Sequence, residues 1–457
     1  MDSTKAGIGF MDNVASSSIT MNGKDSSLLR GDPIPAERYF SPEFARKEWD
    51  RMWTRIWHVA GRENELEEAG DYLVHDFMHE SVIIVRQEDG SLLGFYNSCG
   101  HRGMRLATAS SSTNGFLCPY HGWRWGKDGV LADLPEADNF PQGNPCGKLS
   151  LKEVRCGTWG GFVWYTMDPE APELLDYLSP FPELFARYPM ETLIRVYQVR
   201  IDLNANWKFA PDNFSESYHV RTAHPQVPPF IDQDPWNARL EMFPNGHGRT
   251  IQPLRPSLRD RLPDGVSHPY DQILRKWSID PEIYPDFETK VIEGWKDLKK
   301  KKRELWRERG FVHYKHMDDE EITDSIHTTI FPNISITFNA DEIFFMRTQP
   351  HPEDPNKCTF DFWAMSFPVE GATHSETAMV GENPLPLVEA EPIRRNFNGG
   401  AGIPELEGGV IMQDLMLAEA LQHGMRSRGY QEPYMSAAET RVRYFHEVLN
   451  DYIDGRR

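Results

Sequence analysis

Apolar residues recur at helical spacing from Glu43 to Trp53, behind a Ser41-Pro42 start, which predicts a helix. From Trp57 the pattern changes to short β-branched and aromatic runs: Trp57 to Ala60, Tyr72 to Phe77, Val82 to Arg86 and Leu92 to Tyr96. Turn signals divide them, and Asp89-Gly90 reads as a hairpin. Trp123 to Trp125 with Lys127-Asp128-Gly129 repeats strand and turn, and Gly160 to Tyr165 closes the series, so residues 55 to 165 read as an all-β domain. Prolines crowd Asp168 to Thr192, a wrapped connector. Beyond it, Leu193 to Trp207 alternates as a strand and Pro211 to His224 reads as a helix. A long polar and helical insertion follows, with Lys299 to Arg303 a solvated helix face. Ile334 to Arg347 and Thr359 to Phe367 alternate as paired strands, and Val410 to Leu421 and Ala437 to Tyr452 are helices. The class is α+β, in three parts: a flexible N-terminal arm over 1–37, a β-domain over 38–166 and a second domain over 167–457.

Length supports that division, since 457 residues exceed what one small β-domain needs. Forty-nine Lys plus Arg against 69 Asp plus Glu leave a net charge of −20, which argues against a nucleic-acid or anionic-membrane partner. Five cysteines are too few and too scattered for a disulfide framework, so a reducing cytoplasm is expected. No apolar run of about 18 residues predicts a membrane segment, and the first 30 residues lack the pattern of a secretion signal.

Chemistry enters with Cys99-Gly100-His101 and Cys118-Pro119-Tyr120-His121, four soft or borderline ligands in a narrow window of turn-rich sequence. Two thiolates and two imidazoles suit tetrahedral zinc or a [2Fe–2S] cluster with histidines on one iron. Structural zinc pairs Cys with Cys and His with His. Here each pair mixes the two, so that two thiolates can hold one iron and two imidazoles the other. The spacing resembles the Rieske motif, with Gly100 and Gly122 in the loop tips.

A second group lies in the segment Asp212 to Pro225. His219 and His224 stand five apart, one residue too many for a shared helical face. Pro225 disfavours the α conformation at His224, and a distorted last turn would swing the second imidazole back. A facial iron site needs two histidines and one carboxylate. Glu216 is placed to accept the N–H of His219 rather than to bind metal. Asp414 is a candidate third ligand, though by itself it reads equally as a surface or helix-start acid.

Together, Cys99, His101, Cys118, His121, then Asp212-Asn213-x2-Glu216-x2-His219-x4-His224 and Gln413-Asp414, resemble the catalytic (α) subunit of the Rieske non-haem iron oxygenases, the aromatic-ring-hydroxylating dioxygenase family. The resemblance covers about residues 40 to 450. It implies a Rieske [2Fe–2S] β-domain and a helix-grip (START/Bet v1-like) catalytic domain holding mononuclear Fe(II) on His219, His224 and Asp414. It implies O2 as co-substrate, with electrons from NAD(P)H through a separate flavin reductase and a ferredoxin. It also implies that the acid at Glu216 passes electrons from His121 of a neighbouring subunit to His219, hence a trimer, alone or with a small β subunit. Glu216 departs from the Asp usual in ring dioxygenases and resembles the demethylating and quaternary-amine-oxidising members.

Phe209, Phe214, Val220, Phe331, Phe338, Phe345 and Met346 are candidate cavity residues, each of which also reads as ordinary core. No charged anchor stands out, since Arg221 and Arg347 read as salt-bridge partners. A neutral, bulky aromatic or ring substrate and dihydroxylation, as in aromatic-hydrocarbon catabolism, are expected. The alternative outcome is monooxygenation, including N- or O-demethylation. Outside the oxygenase class, an electron carrier would leave the second group without purpose, and a zinc-stabilised module would be colourless.

Overall fold

The computed structural model describes residues 19–21, 29–234, 237–259, 268–375, 384–397, 403, 406 and 409–457. Arg46–Glu183 forms one compact unit, and Met1–Ala45 with Leu184–Arg457 forms the other. The junctions fall at 45/46 and 183/184 rather than at the expected 37/38 and 166/167. No helix among the described residues is long and apolar enough to cross a membrane.

The smaller unit is built on a seven-stranded antiparallel sheet in the order Trp57–Arg62, Phe162–Thr166, Glu153–Trp159, Leu92–Tyr96, Glu80–Arg86, Asp71–Phe77 and Ser111–Ser112. A second sheet joins Phe116–Leu117, Arg124–Trp125 and Leu131–Asp133. Val82, Ile83, Ile84 and Val85 are all fully buried, because successive strand residues point to opposite faces and both faces are covered. Val82 and Ile84 join Leu66, Leu73, Val163 and Tyr165, whereas Ile83 and Val85 join Phe95, Trp125 and the two cysteines Cys99 and Cys118. Each such aliphatic side chain contributes about 1.5–3 kcal/mol on burial. The core that holds the central strand therefore also holds the thiols. The expected connector contains two short helices, Leu174–Leu178 and Phe181–Leu184, which bury Leu174, Leu178 and Phe181.

In the larger unit nine strands form one sheet: Ile19–Met21, Arg239–Met242, Gly248–Pro253, Asp324–Ile330, Ile334–Phe338, Glu342–Pro350, Cys358–Ser366, Ile194–Leu203 and Ile393–Asn396. Only the last pairing is parallel. The register sets two faces. Thr250, His327, Thr337, Phe344 and Ala364 make one row, and Gly248, Thr329, Ser335, Met346 and Phe362 the next row of the same face. The helix Phe209–Phe214 lies over this face, with the Phe214 ring 6.1 Å from those of His327 and Phe360. The C-terminal helix Thr440–Ile453 covers it too, Arg441 bonding to Thr250 and Thr329. A sheet closed by its C-terminal helix is the expected helix grip, and the α+β class holds.

The arm expected over 1–37 is in part tied down. Residues 1–18 and 22–28 lie outside the described residues. Ile19–Met21, however, pairs with Arg239–Met242 as an edge strand. Further on, the Gly31 N–H donates to Glu447 Oε1 at 2.7 Å, Arg30 pairs with Asp451 at 3.0 Å, and Ile34 is buried. The Lys299 to Arg303 face is not wholly solvated either: Lys302 is buried and donates to the Ile322 carbonyl at 2.7 Å.

Candidate metal centres

Two loops of the smaller unit repeat one backbone design. The Cys99 N–H donates to the Met104 carbonyl (2.8 Å) and the Gly103 N–H to the Cys99 carbonyl (2.9 Å). The Cys118 N–H donates to the Trp123 carbonyl (2.8 Å) and the Gly122 N–H to the Cys118 carbonyl (3.0 Å). Each loop turns on a glycine in the left-handed region, Gly103 (φ 73°) and Gly122 (φ 70°). Gly103, not Gly100, is thus the counterpart of Gly122, while a Cβ at Gly100 would lie 3.1 Å from the Trp125 ring.

These loops sink both cysteines to 2% exposure and leave the imidazoles at the rim. Both cysteines are free thiols, and Cys118 is within hydrogen-bond reach of Cys99. The His101 ring stacks on Trp123 at 4.6 Å and lies 4.7 Å from the His121 ring. Nδ1 of His121 is buried and has no hydrogen-bond partner among the described residues. Burial pushes the Cys99 thiol up and the His101 imidazole down from their usual values. A coordinating metal removes the thiol proton regardless of that shift. Two buried thiols, two adjacent imidazoles and one orphaned imidazole nitrogen fit a cluster with Cys on one iron and His on the other.

The second group is made by a break in a helix. Pro211 to His224 is not one helix: Phe209–Phe214 ends at Ser215, and Val220–Ala223 begins anew after His219. The Glu216 carboxylate explains the break, because Oε2 accepts the N–H groups of Tyr218 and His219 and competes with helical bonding. His224, before Pro225, leaves the helical region at φ −127°, ψ 63°. A regular helix would set residues five apart about 140° apart at ~100° per residue. The break instead brings the two rings to 5.1 Å.

Asp414, 2% exposed, points from the helix Val410–Gly424 to both imidazoles: Oδ1 lies 2.9 Å from His224 Nε2 and 3.6 Å from His219 Nε2. One ligand atom from each of the three falls within 4.8 Å of the others. The opposite ring nitrogens are held from behind. Nδ1 of His219 meets Glu216 Oε1, and Nδ1 of His224 meets Gln413 Oε1 at 2.7 Å. Gln226 Nε2 in turn donates to Gln413 Oε1 at 2.7 Å. With the proton on each Nδ1, both Nε2 lone pairs face Asp414. Two imidazoles and one carboxylate converging in this way fit a facial iron site.

The candidate cavity residues divide. Phe209 and Phe214 are on the first helix, Val220 on the second, Phe331 packs on Phe445 and Tyr452 of the C-terminal helix, and Met346 is on the helix-covered face of the sheet. Phe345 is a correction: in register with Ile336 and Trp363, it points to the opposite face, its ring stacked on Trp363 at 4.5 Å. Phe338 shares that opposite face and stacks on Phe185 at 3.9 Å. Arg347 pairs there with Asp361 at 2.6 Å. Arg221 reaches Ser257 Oγ at 3.3 Å. Sequence reasoning missed Gln226, His327, Arg441 and a buried network in which Asp212 accepts from Tyr39 (2.6 Å) and meets His446 Nε2 (2.9 Å). Only Asp212, inside the motif, carried a signal.

Residues 56–152 match the Rieske [2Fe-2S] domain, and residues 190–455 match the ring hydroxylating alpha subunit (catalytic domain). The carnitine monooxygenase oxygenase subunit of Escherichia coli (strain K12) is 33% identical over 199 residues, 42% of this chain and 52% of that one. Chlorobenzene dioxygenase subunit alpha of Cupriavidus sp. (strain PS12) is 30% identical over 210 residues, 43% and 45% of the two chains. The chain thus spans about half the length of these curated relatives. A solved quaternary ammonium Rieske monooxygenase shares the fold, with TM-score 0.65 and 20% identity over 92% of this chain and 95% of that one.

Proposed function

Because the chain belongs to the ring-hydroxylating alpha-subunit family, with a Rieske domain ahead of the catalytic domain, we propose that it is the oxygenase component of a multicomponent monooxygenase acting on a small molecule. It is a Rieske non-haem iron oxygenase, with a [2Fe–2S] cluster and a mononuclear iron as cofactors. Cys99, His101, Cys118 and His121 would hold the cluster, which when bound would supply single electrons, and His219, His224 and Asp414 would hold the iron, which would supply the dioxygen chemistry. The observation that carries this reading is the convergence of two Nε2 atoms and one carboxylate, each imidazole fixed by a partner on Nδ1.

Glu216 keeps the proton of His219 at Nδ1, and Gln413 does the same for His224. Glu216 also carries the electronic link from His121 of a neighbouring subunit to His219, which calls for a ring of protomers, as the family resemblance implies. A ferredoxin or flavin reductase supplies the electrons, and a small β subunit completes some such assemblies.

Support for monooxygenation comes from Glu216 in place of Asp and from the similarity to a carnitine monooxygenase subunit. Dihydroxylation is the second reading, favoured by 30% identity to a chlorobenzene dioxygenase subunit. Iron analysis tests the oxygenase itself, with about three irons per chain expected, two from the cluster and one mononuclear. Turnover under labelled dioxygen separates the outcomes by one or two labelled atoms in the product; a reduced, iron-replete protein that incorporates none refutes both.

A further inference from the structure

Arg441 is a buried cation that faces only neutral groups among the described residues. Its side chain stands on the C-terminal helix Thr440–Ile453, and the residue is 4% exposed. Nη1 donates to Thr250 Oγ1 (2.6 Å), and Nη2 donates to Thr329 Oγ1 (2.9 Å) and the Gly248 carbonyl (3.5 Å). Nε is buried and donates to nothing among the described residues. Arg347 and Arg249, also buried, differ in facing the carboxylates of Asp361 and Glu241. Burial pulls the Arg441 pKa down to about 9, which still leaves it charged at neutral pH. A buried charge with no opposite charge is strongly disfavoured unless a ligand supplies one.

Arg441 also lines a narrow cleft with Ser215, Thr329, Phe331 and Ser335. The cleft has room for roughly one water-sized group, the size of a carboxylate oxygen. Ser215, one of its lining residues, immediately precedes Glu216 in the chain.

We propose that Arg441, with the hydroxyls of Thr329 and Ser335, receives a carboxylate of the substrate, so that the oxygenase acts on a small carboxylic acid. Thr329 Oγ1 accepts from the guanidinium and donates to the Gly248 carbonyl at 3.4 Å, a long bond whose proton can turn to the anion when it enters. The assignment rests on the iron site proposed above, and it replaces the neutral ring compound expected from sequence.

Binding tests it without turnover. The holoprotein, its iron content and visible spectrum recorded, is titrated calorimetrically with two matched pairs: trimethylglycine against choline, and isobutyrate against isobutyramide. At least one carboxylate should bind about tenfold or more tighter than its uncharged-end counterpart, as one charge-assisted contact provides. Arg441→Gln should bring that pair within about twofold, while Arg441→Lys keeps part of the preference. If Arg441→Gln fails to fold, Ser335→Ala serves in its place and should narrow the same preference. Equal binding within both pairs, no binding by either acid, or an undiminished preference in the variants overturns the proposal. Acetate binding as tightly as the longer acids would mark an adventitious anion site and overturn it equally. Failure of the iron reading would appear separately, in metal content and spectrum.

Discussion

Glu216→Gln isolates the contact that orients His219. Both carboxylate oxygens work as acceptors: Oε2 takes the N–H groups of Tyr218 and His219, and Oε1 takes the His219 Nδ1 proton. A glutamine has only one acceptor oxygen to offer. With its oxygen on the backbone, its NH2 confronts Nδ1–H, and the imidazole must move its proton to Nε2 and lose the lone pair aimed at Asp414. With its oxygen on the imidazole, two backbone donors are left facing an NH2. Either arrangement forfeits one or two hydrogen bonds to a charged acceptor, about 2–4 kcal/mol, part of which relaxation recovers. Loss of such an outer partner typically weakens a metal site by about 10–100-fold. Ferrous iron titration of the metal-stripped mononuclear site, followed by competition with a chelator, should show a loss of that size. The visible spectrum of the cluster should not change. Iron affinity within about twofold of the parent would refute the role given to Glu216, since the tautomer would then be set by something else.

Asp414→Ala should lower iron from about three to about two per chain with the visible spectrum intact, and a bleached spectrum would count against separate centres. The pKa of His327, pushed down to about 3 by burial and then by Arg441, lies below its unfolded value of about 6.5. The folded state therefore binds fewer protons, and this contribution to stability is complete above pH ~6.5 and lost as pH falls from there towards about 3. His327→Gln should flatten that part of the Tm profile against pH, and an unchanged slope would remove His327 from the account. Phe345→Leu should lower stability by about 1–2 kcal/mol in urea unfolding yet leave substrate selection unchanged, because the ring faces Trp363; a shifted substrate profile would contradict the strand register.

Much of the site was legible because ligand identity and spacing are properties of the sequence itself. Cys99, His101, Cys118 and His121 fall on two loops whose tips their glycines permit, and the structure places them together. The His219 and His224 pair was harder. Spacing alone argued against a shared face, and the remedy was sought at Pro225, whereas the larger break is at Ser215 to Glu216. That break depends on a side chain outcompeting backbone bonds, which no periodicity records. Phe345 and Met346 are neighbours of similar character, and only the register decides which one faces the helices. Arg441 was invisible for the same reason, since a charged residue in a polar helical run gives no sign that it will be buried. The anchoring of residues 29–37 needs the C-terminal helix, more than 400 positions away along the chain.

The smaller unit interrupts the larger, which takes its first segment from residues up to Ala45 and resumes at Leu184. Cutting the gene before residue 184 would therefore not liberate a catalytic fragment, because such a piece lacks Tyr39 and with it a hydrogen bond to Asp212. The converse exchange is open: residues 46–183 form one uninterrupted cassette with two seams. Chimaeras built by replacing that cassette would exchange the loops of Cys99, His101, Cys118 and His121 and leave His219, His224 and Asp414 to the recipient scaffold, which on the function proposed above separates electron entry from oxidation.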